Sequence, residues 1–228
     1  MAMISIKNLV KTYGEKVVYD GFNIDISNNQ ILVVLGESGS GKTTLLNILA
    51  GLTDYQGEII GDVSSISMLF QKDFLVPNLT VEQNLNLVCD GANAMEMLEK
   101  FGLKDNAKSY PKSLSAGMSR RVAIIRAMLY KSNLLLMDEP TNSLDIALKK
   151  LTYESIKKQK FEDKKTIVIV THDIDEALSL ADRVVVLKNG KLVYSYAFEG
   201  RLQDRDITGE ECNQVRKNLI DSLLENKI

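Results

Sequence analysis

The 228-residue sequence has no tryptophan, one histidine, two cysteines and three prolines. Cys89 and Cys212 stand far apart without metal-ligand spacing, which excludes a disulfide framework and a cysteine-zinc site and leaves two ordinary structural or surface thiols. No apolar run approaches the roughly 18 to 20 residues a spanning helix needs, and the opening Met1-Ala2-Met3-Ile4-Ser5-Ile6-Lys7 lacks a secretory pattern, so a cytoplasmic location is expected. An excess of charge of either sign is missing too. With 28 Lys plus Arg against 30 Asp plus Glu, net charge is -2, which gives no electrostatic argument for nucleic acid or an anionic membrane surface. The rest, 45% hydrophobic and 25% charged, is the composition of a chain that folds around a core rather than staying disordered.

Against that plain background one segment stands out. The apolar run Ile31-Leu32-Val33-Val34-Leu35 leads into Gly36-Glu37-Ser38-Gly39-Ser40-Gly41-Lys42-Thr43, followed by Thr44 and helical sequence. This strand, glycine-rich loop and helix form a Walker A phosphate loop. Its glycines let backbone N–H groups approach phosphates, and the helix that follows adds its positive end. Lys42 is placed to reach the β- and γ-phosphates and the Thr43 hydroxyl to hold Mg²⁺, so a nucleoside triphosphate is the expected ligand.

Short strands are predicted at Ile4 to Leu9, Val17 to Phe22 and Ile24 to Ile26, forming an antiparallel layer beside the main sheet. A helix runs from Lys42 to about Ala50, and further strands are read at Gly57 to Ile60 and Ile66 to Phe70. From Lys72 to Leu114 the spacing of Leu79, Leu85, Leu87, Met95, Leu98 and Phe101 is helical, an inserted lobe without a strand. Apolar β runs return at Leu134 to Met137, Ile167 to Val170 and Val184 to Leu187, separated by crossover-length helices, which predicts a parallel α/β core. Asn189-Gly190 signals a hairpin to a strand at Leu192 to Tyr196. Val215, Leu219, Ile220, Leu223 and Leu224 make one face of a final helix, read as packing on the core edge.

Leu134 to Met137 ends in Asp138-Glu139, an apolar strand closing on two carboxylates in the form of a Walker B element. Asp138 is expected near Thr43, holding Mg²⁺, and Glu139 is expected to accept a proton from, or orient, the attacking water. His172, the lone histidine, follows the strand at Ile167 to Val170, where ligands of α/β sheets sit, and a γ-phosphate contact is expected.

With Leu114-Ser115-Ala116-Gly117-Met118 ahead of a helix carrying Arg120, Arg121 and Arg126, the chain resembles the nucleotide-binding subunit of an ATP-binding cassette transporter. Tyr13, the Walker A loop, Gln71, the signature at Leu114 to Met118, Walker B, Ser143-Leu144-Asp145 and His172 follow one another in family order. The resemblance implies a single domain over 1–228: a core with an antiparallel β layer at 1–71 and 115–228, and a helical signature subdomain at 72–114. It implies MgATP held between the Walker A of one subunit and the signature of a second, in a homodimer or heterodimer docked head to tail. Tyr13 would then stack on adenine. Ser115 and the N–H of Gly117 would contact the γ-phosphate across the dimer, Gln71 would watch Mg²⁺ and water, and Asp145 would touch the other subunit. The usual Leu-Ser-Gly-Gly-Gln is altered at Ala116 and Met118, and methionine lacks the strong hydrogen bonds of a glutamine amide. Phe74 to Thr80 falls where the family docks the coupling helix of a membrane permease, so Phe74 and Leu75 are expected to be exposed.

The implied function is ATP hydrolysis driving solute transport from the cytoplasmic face of the membrane, most like the nitrate, sulfonate and taurine importers, with an extracellular solute-binding protein as a further partner. The ATPases of lipoprotein-releasing and macrolide-type exporters share much of the pattern. A soluble cassette acting on nucleic acid or ribosomes would be expected to carry two cassettes, a coiled-coil insertion or a basic surface, and none is present. Glu139 and His172 together argue against a module that binds without hydrolysing.

Overall fold

A computed structural model describes residues 2–224. The chain opens with β1 (Ala2–Tyr13), β2 (Lys16–Ser27), β3 (Ile31–Leu35), helix α1 (Lys42–Leu49) and β4 (Gln56–Gly61). β1 pairs antiparallel with β2 on one side and β4 on the other, making a three-stranded layer. The two predicted pieces at Val17 to Phe22 and Ile24 to Ile26 are one strand. The irregularity that separates them in sequence is absorbed as slips in the β1/β2 register. Asn8 sits there with φ 51°, and the Asn23 side chain accepts from the Asn8 N–H at 2.9 Å and donates to the Gly21 carbonyl at 2.7 Å, pinning the bulge.

The main sheet adds β5 (Ile66–Leu69), β6 (Leu134–Asp138), β7 (Thr166–Thr171), β8 (Arg183–Lys188) and β9 (Lys191–Ala197), in the order β5-β6-β7-β3-β8-β9. All neighbours are parallel except β8 and β9. The interiors of the central strands are apolar on both faces because both faces are covered, and polar residues such as Asp138, Thr166 and Arg183 stand only at strand ends. Ile31, Val33, Leu135, Met137, Ile167, Ile169, Val184 and Val186 enter one core with the helices. Leu32, Val34, Leu134, Leu136, Val168, Val170, Val185 and Leu187 enter the other, with α1 and the antiparallel layer.

Between β5 and β6 lie α2 (Val81–Asn86), α3 (Gly91–Lys100), two 3₁₀ turns and α4 (Ala116–Leu129). Val122, Ile124 and Ile125 of α4 share a core with Leu85 of α2 and Leu98 of α3, so the packing of the helical lobe continues past Leu114. Phe74 is 62% exposed, whereas Leu75 is half-buried against that core, so the expected exposure holds for one of the pair. The remaining helices are α5 (Ile146–Phe161), α6 (Ile174–Leu180) and α7 (Glu210–Leu224). On α7, Val215 and Leu219 are buried and Leu223 is half-buried, but Ile220 and Leu224 face outward, a narrower seam than the apolar spacing suggests. No described helix is long and apolar enough to cross a membrane.

Candidate functional site

The phosphate loop leaves β3 and enters α1 at Lys42, with Gly41 at φ 110°, a conformation that a side chain strains. A Cβ there would also lie 2.9 Å from the Tyr19 hydroxyl, which is wholly buried beneath the loop and donates to the Gly41 carbonyl at 2.9 Å. Burial pushes the Tyr19 phenol far up, so it stays a donor. Lys42 folds back over the loop, its Nζ donating to the carbonyls of Gly36 at 2.6 Å and Glu37 at 2.9 Å. An ammonium has three donors, so one remains for a phosphate oxygen. Desolvation lowers the Lys42 pKa, opposed by the charges of Glu139, Asp138 and Glu37.

Three parallel strands end beside this loop. At the end of β6, Asp138 Oδ2 accepts from the Thr43 hydroxyl at 2.8 Å. Burial raises the Asp138 pKa, with the charge of Glu139 adding to it and Thr43, Lys42 and Arg120 opposing. Glu139 turns the chain out of the sheet at φ 49°, unusual for a residue with a side chain, and its N–H donates to the Val170 carbonyl of β7 at 2.9 Å. Its Oε1 lies 2.9 Å from His172 Nδ1, and its Oε2 accepts from the Thr171 hydroxyl at 3.4 Å.

These groups face a cleft of about 680 Å³, within the usual range for a small-molecule site. Glu37, Ser38, Gly39, Gly41, Lys42, Thr43, Thr44, Gln71, Asp138, Glu139 and His172 line it, and Tyr13, 49% exposed, stands among its walls with Lys16, Val18 and Asn142. Gly36 and Ser40 do not. Ser40 is buried, its hydroxyl finding no partner, 2.6 Å from where a Gly36 Cβ would sit. Ser115 and Gly117 also lie outside the cleft, at the start of α4, where the exposed Ser115 hydroxyl accepts from the Met118 N–H at 3.2 Å. Asp145 caps α5 by accepting from the Leu148 N–H at 2.9 Å.

A family profile described as ABC transporter matches residues 19–142, which carry the phosphate loop, Gln71 and both strand-end carboxylates. The chain belongs to the ABC transporter family of ATPases. The aliphatic sulfonates import ATP-binding protein SsuB of Delftia acidovorans is 39% identical over 204 residues, covering 86% of this chain and 84% of that one. SsuB 1 of Paracoccus denitrificans (strain Pd 1222) is 38% identical over 193 residues, 82% of this chain and 80% of that one. The solved dimer of the ATP-binding cassette MJ0796, a post-hydrolysis state bound to ADP and Pi, aligns with a TM-score of 0.80 at 31% identity, over 87% of this chain and 100% of that chain. The chain is thus an ATP-binding, ATP-hydrolysing transporter subunit.

Around the cleft of this ABC ATPase are groups that motif reading passed over. Tyr19 carried only the signal of an aromatic at an inward position of β2. Glu176, in the first turn of α6, reads in sequence as a solvated acid near a helix start, yet it is buried and accepts from the Thr141 hydroxyl at 2.8 Å. Burial pushes its pKa up to about 7, against the hydrogen bonds of Thr171 and Thr141 and with the charges of Asp173 and Glu139 adding. Arg120 was visible as one of three arginines on α4, but not its burial or its reach into both loops beside Glu139.

Proposed function

We propose that the subunit works as a head-to-tail dimer at the cytoplasmic face of the membrane, hydrolysing MgATP to drive a permease that imports a small anionic solute. What carries this reading is one cleft in which the Thr43–Asp138 pair and the Glu139–His172 pair face the phosphate loop, while Ser115 and Gly117 lie outside it. A second chain would supply those two groups. Ile146, 88% exposed beside Asp145, is a side chain on which a variant can test such a partner.

In this reading Tyr13 stacks on adenine, and the loop from Gly36 to Thr44 with Lys42 holds the phosphates. The residues present suit Mg²⁺: a hydroxyl and a carboxylate meet at one point, and among the described residues no cluster of three acidic, histidine or cysteine side chains exists to form an all-protein cage. That is the donor set of a cation completed by phosphate and water oxygens, with Thr43, Asp138 and Gln71 as the protein's contribution. Held by these residues, Mg²⁺ would supply neutralisation of the charge on the phosphate oxygens. Glu139 takes a proton from the attacking water as the new P–O bond forms and the bond to the ADP oxygen breaks, and His172 holds the Glu139 carboxylate and the γ-phosphate.

The direction and solute rest on the relatives named as aliphatic sulfonate importers, which favour a small organic anion; an extracellular solute-binding protein is a further partner of this reading. No nucleic acid is part of the reading. The test of the chemistry is nucleotide binding and steady-state hydrolysis by two variants. Glu139→Gln is expected to keep ATP binding and lose on the order of 10²- to 10⁴-fold in turnover, and Lys42→Ala to lose binding. Near-normal hydrolysis by Glu139→Gln would remove Glu139 from the role of base.

A further inference from the structure

The guanidinium of Arg120 is buried between two loops that both reach the cleft. On one side its Nη1 donates to the Phe70 carbonyl at 2.7 Å and the Gln71 carbonyl at 3.4 Å, and pairs with Asp73 Oδ1 at 3.2 Å. On the other, Nη2 donates to the carbonyls of Asp138 at 2.7 Å and Glu139 at 2.6 Å, and Nε to that of Pro140 at 3.3 Å. The guanidinium is a planar, rigid fork, so fixing one set of carbonyls fixes its position relative to the other.

We propose that Arg120 is a positioning residue that couples the Gln71 loop to the Glu139 carboxylate. Glu139 is held in its left-handed conformation from both ends of its backbone, the N–H by Val170 of β7 and the carbonyl by Arg120 at 2.6 Å and, more loosely, by the Asn142 N–H at 3.3 Å. Such a conformation persists where its surroundings over-determine it. Without Arg120 the shorter of the two bonds on the Glu139 carbonyl is gone, only the 3.3 Å bond from the Asn142 N–H is left there, and the residue has room to relax away from the 2.9 Å contact with His172. Because the same guanidinium grips Phe70, Gln71 and Asp73, a shift of that loop is carried to Glu139 through one rigid group. Lysine cannot replace it, since a point charge on a flexible stem does not span two sets of carbonyls.

This inference rests on Glu139 acting as the base. The experiment measures kcat, KM for ATP and melting temperature for Arg120→Lys, Arg120→Met, Asp73→Asn, Gln71→Ala, Gln71→Ala with Arg120→Lys, and Glu139→Gln. Both Arg120 variants are expected to lose on the order of 10- to 100-fold in kcat, the scale of a catalytic group displaced by about an ångström, with KM within about twofold of the parent. Asp73→Asn is expected to fall between them and the parent, and Gln71→Ala to cost less in the Arg120→Lys background than alone. Arg120→Lys turnover equal to the parent, a loss explained by the unfolded fraction alone, or full additivity with Gln71→Ala would overturn the coupling. Should both Arg120 variants fail to fold, Asp73→Asn decides it, unchanged kcat counting against the proposal. Active Glu139→Gln would instead mean that the base assignment is wrong.

Discussion

Replacing Glu176 with glutamine should change how stability depends on pH, and the size of the change follows from the burial of one carboxyl. Glu176 is 1% exposed and its pKa rises from 4.5 to about 7, burial being the largest cause. Since the folded value lies above the unfolded one, the folded chain keeps a proton between about pH 4.5 and 7 that the unfolded chain has released. Stability therefore falls as pH rises through that window, and the full penalty is present above it. At about 1.4 kcal/mol for each pH unit, the difference comes to about 3 kcal/mol. Glutamine is neutral at every pH and keeps an oxygen to accept from Thr141, whose hydroxyl now donates to Glu176 at 2.8 Å. Urea unfolding of the parent and Glu176→Gln at pH 5, 6, 7 and 8 is the assay. A gap of less than about 1 kcal/mol is expected at pH 5, with the variant more stable by up to about 3 kcal/mol at pH 8. Comparing the two proteins at each pH cancels the other titrating groups. Parallel curves across the whole range would refute the argument, showing that Glu176 ionises in the folded chain without penalty.

Two further expectations concern partners. The specific activity of the purified subunit should rise with protein concentration as dimers form, and Ile146→Ser should shift that rise on the order of tenfold higher, the scale of burying one aliphatic side chain; activity flat with concentration in the parent, with monomer throughout by light scattering, would contradict the dimer. Phe74→Glu should abolish co-purification of a polytopic membrane protein from gently solubilised membranes while leaving the isolated subunit's turnover within about twofold, because charge on a docking surface opposes an apolar partner without touching the cleft; undiminished recovery would move the docking surface elsewhere.

The phosphate loop, the strand ending in Asp138 and Glu139, and the alternating faces of the main sheet were legible because each is written in consecutive residues. Apolar runs at Ile31 to Leu35 and Ile167 to Val170 announce strands covered on both faces, and they are. Arg120 and Glu176 were not legible in the same way. A charged side chain on a helix is normally solvated, and only the fold shows that Arg120 meets carbonyls from Phe70 to Pro140, or that Thr141 lies over Glu176. The sequence of the β1/β2 ribbon reads as shorter pieces because bulges interrupt alternation without interrupting pairing. Position in the sequence groups Leu75 with Phe74, yet adjacent residues commonly face opposite ways, one into the helical core and one out.

The strand order has a consequence for synthesis. β3, which delivers the phosphate loop, is flanked by β7 and β8, so both of its neighbours come from beyond residue 165. The loop's carbonyl at Ser40 also accepts from the N–H of Gly190, and a Cβ at that glycine would lie 1.9 Å from the Val18 carbonyl, so the turn between β8 and β9 closes against the first layer. A chain emerging from the ribosome thus presents β3 with both edges open until most of the sequence has been made. The antiparallel layer, complete by residue 61, has no such wait. Nucleotide can act as a folding ligand only late, once the last third has slotted in on either side, and the interval before that is when the apolar β3 edge is exposed to aggregation or to a chaperone.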